Sequence, residues 1–416
     1  MALVLNAKFD LGVGAYGSTC LWVGSRLFCA YQIGLIHKLA MFSSANGVLT
    51  KVAEVTQQKP SASVLAYKAP FLFIGETLYI EAIKVIGDTL TQNALWCSAS
   101  LGASIRDFDI DANWFLHCSN TNDAVRTIRA VSFTEIAGFS IKPSRDVGIF
   151  AIHGVMVQGP MVLVCGSSNE RIRALQFDPV TFTYTQITNA SPINTNVALC
   201  MAYIAPYYYV SENSVFKVHA LSLSGATFSL VSTYVSPNSP DSIISESGRI
   251  YTCCFLKSRL EGLEWDSGIL TRDSFLLGYG APGGHYNILT SDNLGYIYWV
   301  QFDRYVYSAK DTGFILANFT ADVVTGNNGL DVHFTDTSIG ATSWEWDFGD
   351  GTTSTEQNPV HSYDPGTYTV TLTINGGASS KTSVSLISVY GARVFLNPSS
   401  GKPPLKVAFS TELYIP

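Results

Sequence analysis

One short signature recurs along the first three quarters of the chain. Each copy is a small or turn-forming residue followed by an apolar run, as in GSRLFCAY from Gly24, APFLFIG from Ala69 and GPMVLVCG from Gly159. The seven copies place these residues at equivalent positions: Arg26, Phe71, Trp114, Met161, Tyr207, Arg249 and Tyr296. The steps between them are 45, 43, 47, 46, 42 and 47 residues. Such regularity requires one structural unit repeated seven times.

Each repeat contains four strand-like segments. An apolar segment precedes the signature, a second strand follows it, and a turn rich in Asp, Asn and Gly leads to an outer strand. The pattern predicts an all-β fold whose first domain, residues 1–316, is a seven-bladed β-propeller. Because blades bury their faces only against neighbours, the ring must close, and we expect Ala2 to Phe9 to pair with the last blade. The WD, kelch and YVTN signatures are missing, so the similarity to propellers is architectural.

A different sequence begins near Ala317. It contains the runs WEWDFGDG from Trp344, NPVHSY from Asn358 and PGTYTVTL from Pro365. These runs resemble the PKD family, which implies an immunoglobulin-like β-sandwich over residues 317–390. The resemblance assigns the structural motif to Trp344, Trp346, Asp347, Phe348, Gly349, Asp350, Gly351, Pro359, His361, Tyr363, Pro365, Gly366 and Tyr368.

Alternation along this module predicts its core and its turn. The residues expected to point inward are Phe334, Trp346, Phe348, Tyr368, Val370 and Leu372. Asp347 and Asp350 are expected to cap backbone N–H groups in a turn with positive-φ glycines, and the alternative is that they hold a Ca²⁺ ion. Residues 391–416 resemble the opening strands of a second PKD or related Ig-like domain.

Composition limits the partners. The net charge is −7 and no cluster of Lys and Arg occurs, which argues against nucleic acid. No apolar run reaches the roughly 18 residues of a membrane span, so we expect no membrane insertion. Only 14% of residues are charged, against about 25% in ordinary soluble domains. This favours an oligomeric assembly with other structural proteins, which hides part of the surface. The eight scattered cysteines are interpreted as small buried hydrophobes, although Cys20 and Cys29 are placed to face each other.

The sequence carries few groups suited to chemistry. No HExxH, GxSxG, P-loop or Rossmann pattern occurs and the histidines are dispersed, so we expect no enzyme and no cofactor. Asp107, Asp109 and Asp111 alternate like the start of a Ca²⁺ loop, but Ala112 replaces its glycine. The candidate binding aromatics for a host-surface glycan or protein are Tyr207, Tyr208, Tyr209, Trp299 and Tyr305, and the alternative is that they pack inside blades.

Three functions fit this domain organisation. The first is a non-enzymatic virion protein of a phage or archaeal virus, in a tail, fibre or capsid decoration. Its propeller would be a docking or receptor-binding disc and its PKD module a spacer. The N-terminus lacks the apolar core of a secretion signal, which favours this location over the cell surface. The alternatives are an extracellular surface-layer adhesin and a secreted carbohydrate-active enzyme with a PKD accessory domain.

Overall fold

The computed structural model describes two compact units. The described residues are 3–57, 62–76, 78–93, 96–97, 104–121, 127–146, 150–167, 172–188, 193, 198–212, 215–237, 240–246, 249–254, 259–266, 269–277, 289–292, 294–300, 305–377, 379–398 and 407–414. The units are Met1–Thr312 and Gly313–Pro416. The division lies close to the predicted end of the propeller at residue 316.

The first unit is the seven-bladed propeller that the repeat predicts. Its described residues form seven four-stranded antiparallel sheets, one for each blade. In blades 1 to 6 the four strands follow each other in the chain from the inner strand to the outer one. In blade 7 the inner three strands do so, and the outer strand is the N-terminal strand of the chain. The strands of blades 1 to 4 are β2 (Ala15–Val23), β3 (Arg26–Ile33), β4 (Ile36–Ala45), β5 (Val48–Thr56), β6 (Ala62–Lys68), β7 (Phe71–Glu76), β8 (Ile80–Ile86), β9 (Thr89–Thr91), β10 (Ser104–Ile110), β11 (Phe115–Thr121), β12 (Thr127–Thr134), β13 (Gly138–Asp146), β14 (Phe150–Gln158), β15 (Met161–Ser167), β16 (Ile172–Asp178) and β17 (Thr183–Gln186).

Blades 5 to 7 complete the ring. Their strands are β18 (Ala198–Ile204), β19 (Tyr207–Glu212), β20 (Lys217–Ser224), β21 (Thr227–Val235), β22 (Ser242–Glu246), β23 (Arg249–Cys254), β24 (Arg259–Asp266), β25 (Ile269–Leu277), β26 (Leu289–Ser291), β27 (Tyr296–Val300), β28 (Tyr305–Asp311) and β1 (Leu3–Asp10). Each inner strand contacts the inner strand of the next blade, and β26 returns to β2. The inner strands therefore surround a central channel.

The N-terminal strand fastens the ring, which confirms the expected pairing for Leu3 to Phe9, while Ala2 lies outside the described residues. β1 pairs antiparallel with β28 from Leu3↔Asp311 to Asp10↔Tyr305. On the inner side, the Trp22 amide donates to Thr290 Oγ1 at 2.7 Å, and the Trp22 ring stacks on Tyr298 at 5.0 Å. Blade 1 and blade 7 are thus joined both at the channel and at the rim.

The signature residue begins the second strand in six blades. The exception is blade 3, where β11 begins at Phe115 rather than at Trp114. Trp114 lies in the preceding turn with φ of 66°. The equivalence assumed from the sequence is therefore one residue early in this blade.

Apolar packing between blades holds the ring together. One cluster joins Phe28, Leu39 and Met41 of blade 1 to Leu72 and Ile83 of blade 2. Each of these side chains is almost wholly buried. Full burial of such a side chain contributes about 1.5–3 kcal/mol, so adjacent blades stabilise each other through their faces.

The second unit is a β-sandwich. Its strands are β29 (Phe319–Ala321), β30 (Thr325–Asn327), β31 (Leu330–Asp336), β32 (Trp344–Asp347), β33 (Thr353–Ser354), β34 (Val360–Tyr363), β35 (Gly366–Ile374), β36 (Ser379–Pro398) and β37 (Val407–Tyr414). One sheet has the order β29-β31-β34 and the other β30-β36-β35-β32-β33, with β37 added beside β36. Five of the six predicted inward residues are buried between them, and Tyr368 is half-buried against the same core.

The end of the chain differs from the predicted organisation. The proposed boundary between residues 390 and 391 falls inside β36, which continues to Pro398. β37 folds back on this extension, from Gly391↔Tyr414 to Pro398↔Val407. In the described residues this segment is a hairpin that prolongs a PKD strand, so a second domain stays a prediction.

Candidate functional site

One end of the propeller is formed by turns that the structure describes in most blades. We call it the turn face. It consists of the turns between inner and second strands (24–25, 69–70, 111–114, 159–160, 205–206, 292 and 294–295) and those between third and outer strands (46–47, 87–88, 135–137, 179–182 and 225–226), with the residues that flank them. Because the inner strands run in one direction around the ring, all of these turns lie at the same end.

The turn face exposes a repeated set of apolar side chains. In four blades a branched aliphatic residue lies in or beside the described turn between the third and outer strands: Val48, Ile86, Ile136 and Val180. Ile269, which begins the outer strand of blade 6 at the same end, is also exposed. Ile136 is 91% exposed and Val180 is 81% exposed. Branched aliphatic residues normally leave water on folding, so these exposed side chains make the turn face a candidate interaction surface. The opposite end of the ring also exposes apolar side chains, among them Leu35, Ile36 and Phe216.

The channel opens on the turn face as a shallow cavity of about 380 Å³. Inner strands of blades 4 to 7 line it with Met156, Gln158, Met201, Tyr203, Ile244 and Ser291 among others. Its lining residues include no Asp, Glu, Lys, Arg or His. This cavity therefore offers its contacts through apolar side chains, hydroxyl groups and the Gln158 amide.

The three candidate aspartates of blade 3 serve different contacts. Asp107 Oδ2 accepts the Val155 amide at 2.8 Å, and Asp109 Oδ2 accepts the Val157 amide at 2.7 Å. Both bonds cross to the inner strand of blade 4. Asp111 instead accepts amides of its own turn, and its Oδ2 lies 3.2 Å from His117 Nε2. The three carboxylates thus contact different groups, and binding of Ca²⁺ by them stays a prediction.

The described part of the chain contains no group of three His, Cys, Asp or Glu side chains placed to hold a metal ion. It also contains no helix with the length and apolarity required to cross a membrane. Cys20 and Cys29 face each other across β2 and β3, as the sequence indicated. Six of the seven cysteines whose side chains the structure describes are buried, and Cys97 is half-buried.

The predicted binding aromatics of blades 5 and 7 are mostly internal. Tyr208, Tyr209 and Trp299 are buried in the blades, so the binding prediction is wrong for these three. The middle strands of a blade are covered on both faces, which is why an aromatic run there is core. Tyr207 and Tyr305 are half-buried, and their role in binding stays a prediction.

A pocket that the sequence did not predict lies between blades 2 and 3 on the turn face. We call it the blade 2–3 pocket, and its volume is about 420 Å³. Phe71, Trp114 and Phe133 supply aromatic surface, while Asn113, Thr134 and Glu135 supply polar groups. The sequence signal was the turn DANW, in which a large aromatic residue takes the place before the second strand.

The PKD turn matches the role expected from its motif. Asp347 Oδ1 accepts the Gly349 amide at 2.9 Å, and Asp350 Oδ1 accepts the Thr352 amide at 2.9 Å. His361 Nε2 lies 2.7 Å from Asp350 Oδ2, and its ring stacks on Phe348 at 4.1 Å. Partial burial raises the pKa of Asp350, but hydrogen bonds from Thr352 and His361 outweigh it and hold that pKa below its ordinary value. The Asp350 carboxylate is thus engaged by protein groups, as a structural turn requires.

Comparison with known proteins agrees with both folds. Residues 316–389 match the PKD domain family. The WD40 beta propeller domain of Doa1 superposes with a TM-score of 0.57 and 13% identity, covering 75% of this chain and 98% of that one. A protein from Lactobacillus plantarum superposes with a TM-score of 0.54 and 13% identity, covering 65% of this chain and 86% of that one. A functionally unknown protein from Desulfotomaculum acetoxidans DSM 771 superposes with a TM-score of 0.52 and 11% identity, covering 63% of this chain and 85% of that one. At these identities the likeness shows the fold alone.

Proposed function

We propose that this chain is a non-enzymatic structural and adhesion protein of a virion. Its propeller is the receptor-binding disc, its turn face meets the target, and its PKD module is a spacer within a tail, fibre or capsid decoration. Its partners are other structural proteins of the particle and a molecule on the host surface.

The observation that carries the proposal is the apolar turn face. Water-exposed Val48, Ile86, Ile136, Val180 and Ile269 recur from blade to blade at one end of the ring. Covering such a surface with a partner lowers the free energy of the system, because apolar area is removed from water.

The channel mouth supports binding rather than catalysis. Hydrolysis of a glycosidic bond needs two carboxyl groups roughly 5–10 Å apart around the scissile bond. The residues that line the cavity formed by blades 4 to 7 supply no carboxylate, and Asp107 and Asp109 are hydrogen-bonded to blade 4. The carbohydrate-active enzyme is therefore the least supported alternative.

A pair of surface substitutions tests the role of the turn face. Ile136→Lys and Val180→Lys place charges on exposed side chains, so folding should be unaffected. Leu35→Lys is the matched control, since Leu35 is 96% exposed in the turn between β3 and β4, at the opposite end. We expect the first two variants to reduce binding of the purified chain to host cells at least tenfold, and the control to bind as the wild type does. Equal binding by all four proteins would contradict the proposal.

A further inference from the structure

Two turns of the ring share one hydrogen-bond scheme. In blade 3 the Asp111 amide donates to Phe115 O at 3.0 Å, and in blade 7 the Asp292 amide donates to Tyr296 O at 3.2 Å. Asp111 Oδ1 accepts the amides of Asn113 and Phe115. Asp292 Oδ1 likewise accepts those two and four residues later. The second oxygen bonds the side chain six residues on in both cases, at 3.2 Å in blade 3 and 2.9 Å in blade 7.

The two turns differ at one left-handed position. Blade 7 has Gly295 there, with φ of 83°, and blade 3 has Trp114, with φ of 66°. A residue with a Cβ in this conformation costs about 1–2 kcal/mol relative to glycine. The turn thus forms with glycine, and the indole is held at a cost in folding free energy. Backbone strain of this kind is a reason to look for a function of the side chain.

The indole forms one side of the blade 2–3 pocket. Trp114 is half-buried, whereas Phe71 and Phe133 behind it are buried. The Trp114 ring centroid lies 6.3 Å from that of Phe71 and 6.5 Å from that of Phe133. Trp96 packs edge-on against Phe71 at 5.2 Å, and its Nε1 donates to Glu135 O at 3.0 Å. These contacts hold the aromatic side chains in place. The volume of the pocket, about 420 Å³, lies within the roughly 300–1,000 Å³ of ligand pockets.

The charges around this pocket argue against a cationic ligand. Lys68 Nζ lies 4.9 Å from the Trp114 ring centroid, where it donates to Asp111 O and Ala112 O at 2.6 Å each. Lys84 Nζ lies 2.5 Å from Glu135 Oε1 and so compensates the negative charge of that carboxylate. Lys68 already places a positive charge beside the indole, and Glu135, the acidic residue that lines the pocket, is paired with Lys84. Neutral or acidic ligands are favoured.

We propose that the blade 2–3 pocket binds a pyranose ring of a host-surface glycan, with Trp114 as the stacking platform. The apolar face of a pyranose matches an indole, and its hydroxyl groups match the Asn113 amide, the Thr134 hydroxyl and the Glu135 carboxylate. This inference deepens the adhesive role proposed above and rests on it for the source of the glycan.

The test is binding of the purified chain to an array of neutral and acidic oligosaccharides, followed by calorimetric titration of the strongest one. Trp114→Gly installs the residue that blade 7 uses, which relieves the left-handed strain but removes the contacts of the indole with Phe71 and Phe133. Circular dichroism and the melting temperature therefore establish that the variant is folded before its binding is compared. Phe216→Gly is the matched control, because Phe216 is an exposed aromatic residue with φ of 56° in the turn before β20, at the other end of the ring.

We expect the wild type and Phe216→Gly to bind the same oligosaccharide, and Trp114→Gly to bind it at least tenfold more weakly. Trp114→Phe should retain part of the affinity. Failure of every oligosaccharide to bind, or equal affinity of a folded Trp114→Gly variant, would overturn the inference. Either result would leave the adhesive role standing if Ile136→Lys still abolished binding to host cells.

Discussion

The Asp107 carboxylate accepts the Val155 amide of the neighbouring blade at 2.8 Å. Asp109 repeats the contact two residues along, with Val157. These are charge-assisted bonds between the inner strands of two separate sheets, and such bonds are stronger than neutral ones. They fix blade 3 against blade 4 where the ring has no backbone ladder between them.

Removal of the Asp107 side chain should weaken the ring. Asp107 is 7% exposed, so Asp107→Ala leaves the Val155 amide without its charged partner. We expect the free energy of unfolding to fall by about 2–3 kcal/mol, measured by urea denaturation. Asp88→Ala, which breaks an exposed pair with Arg26, should cost no more than about 1 kcal/mol. Equal losses would show that the inter-blade bond contributes little.

Acid should destabilise the propeller through His153. Arg106 Nη1 lies 2.6 Å from His153 Nδ1, and a guanidinium can only donate, so the ring is neutral. Burial and then the charge of Arg106 lower the pKa of His153 from 6.5 to about 4. As the pH falls through 6.5 toward 4 the unfolded chain binds a proton that the folded chain does not, so stability is lost in that window, by at most about 3 kcal/mol.

His153→Gln should flatten this dependence, because its amide oxygen can still accept from Arg106 without titrating. Urea midpoints compared between about pH 7 and pH 4.5 measure the effect. His333→Gln, at an exposed histidine of the other unit, serves as the control and should follow the wild type. A His153→Gln variant that lost as much stability in acid as the wild type would exclude this histidine as the cause.

The contact that closes the ring should also be measurable. Ser308 Oγ donates to Gly47 O at 2.7 Å, and Asn6 Nδ2 donates to Asn46 O at 2.9 Å. Blade 7 and blade 1 thus meet through side chains of β28 and β1. Ser308→Ala should lower the free energy of unfolding by about 1–2 kcal/mol, whereas Ser43→Ala, with an exposed contact of 3.4 Å, should have little effect.

Deletion of residues 1–10 should be more severe than either substitution. It removes β1 and exposes the edge of β28. The unpaired N–H and C=O groups of that edge can then pair with strands of other chains. Size-exclusion chromatography should show oligomers or aggregates. A monomeric deletion variant with unchanged urea unfolding would contradict the assigned role of β1.

In the PKD module, Gly349 is required by close approach as well as by conformation. Its φ is 81°, and a Cβ there would lie 2.3 Å from Thr369 O, whereas Gly351 has φ of 90° and open space. Gly349→Ala should cost about 3 kcal/mol or more, and Gly351→Ala about 1–2 kcal/mol. Calorimetry should show the PKD transition lowered or lost and the propeller transition unchanged. Equal effects of the two variants would mean that the contact with Thr369 is relieved elsewhere.

The sequence predicted the architecture because its signals are local. Each turn and strand of a blade is specified within one repeat, and the PKD motif specifies its own turn at Asp347 to Gly351. The start of the second strand was also predicted correctly from the signature residue in six blades. It failed at Trp114 because a tryptophan in a left-handed turn looks like the start of an apolar strand.

The binding surface was less predictable because it depends on contacts between blades. Phe71 and Trp114 come from separate repeats and meet only when blades 2 and 3 pack together. Tyr208, Tyr209 and Trp299 gave the opposite error. Their strands are covered on both faces, so aromatic content alone does not distinguish a core from a surface.

The most direct test of the account is cryo-electron microscopy of purified virions from the source culture, together with mass spectrometry of their polypeptides. The account predicts that the chain is present in the particles and that density for a seven-bladed disc has its turn face, marked by Ile136 and Val180, directed toward solvent. Absence of the polypeptide from the particles, or a turn face buried against the particle, would contradict it.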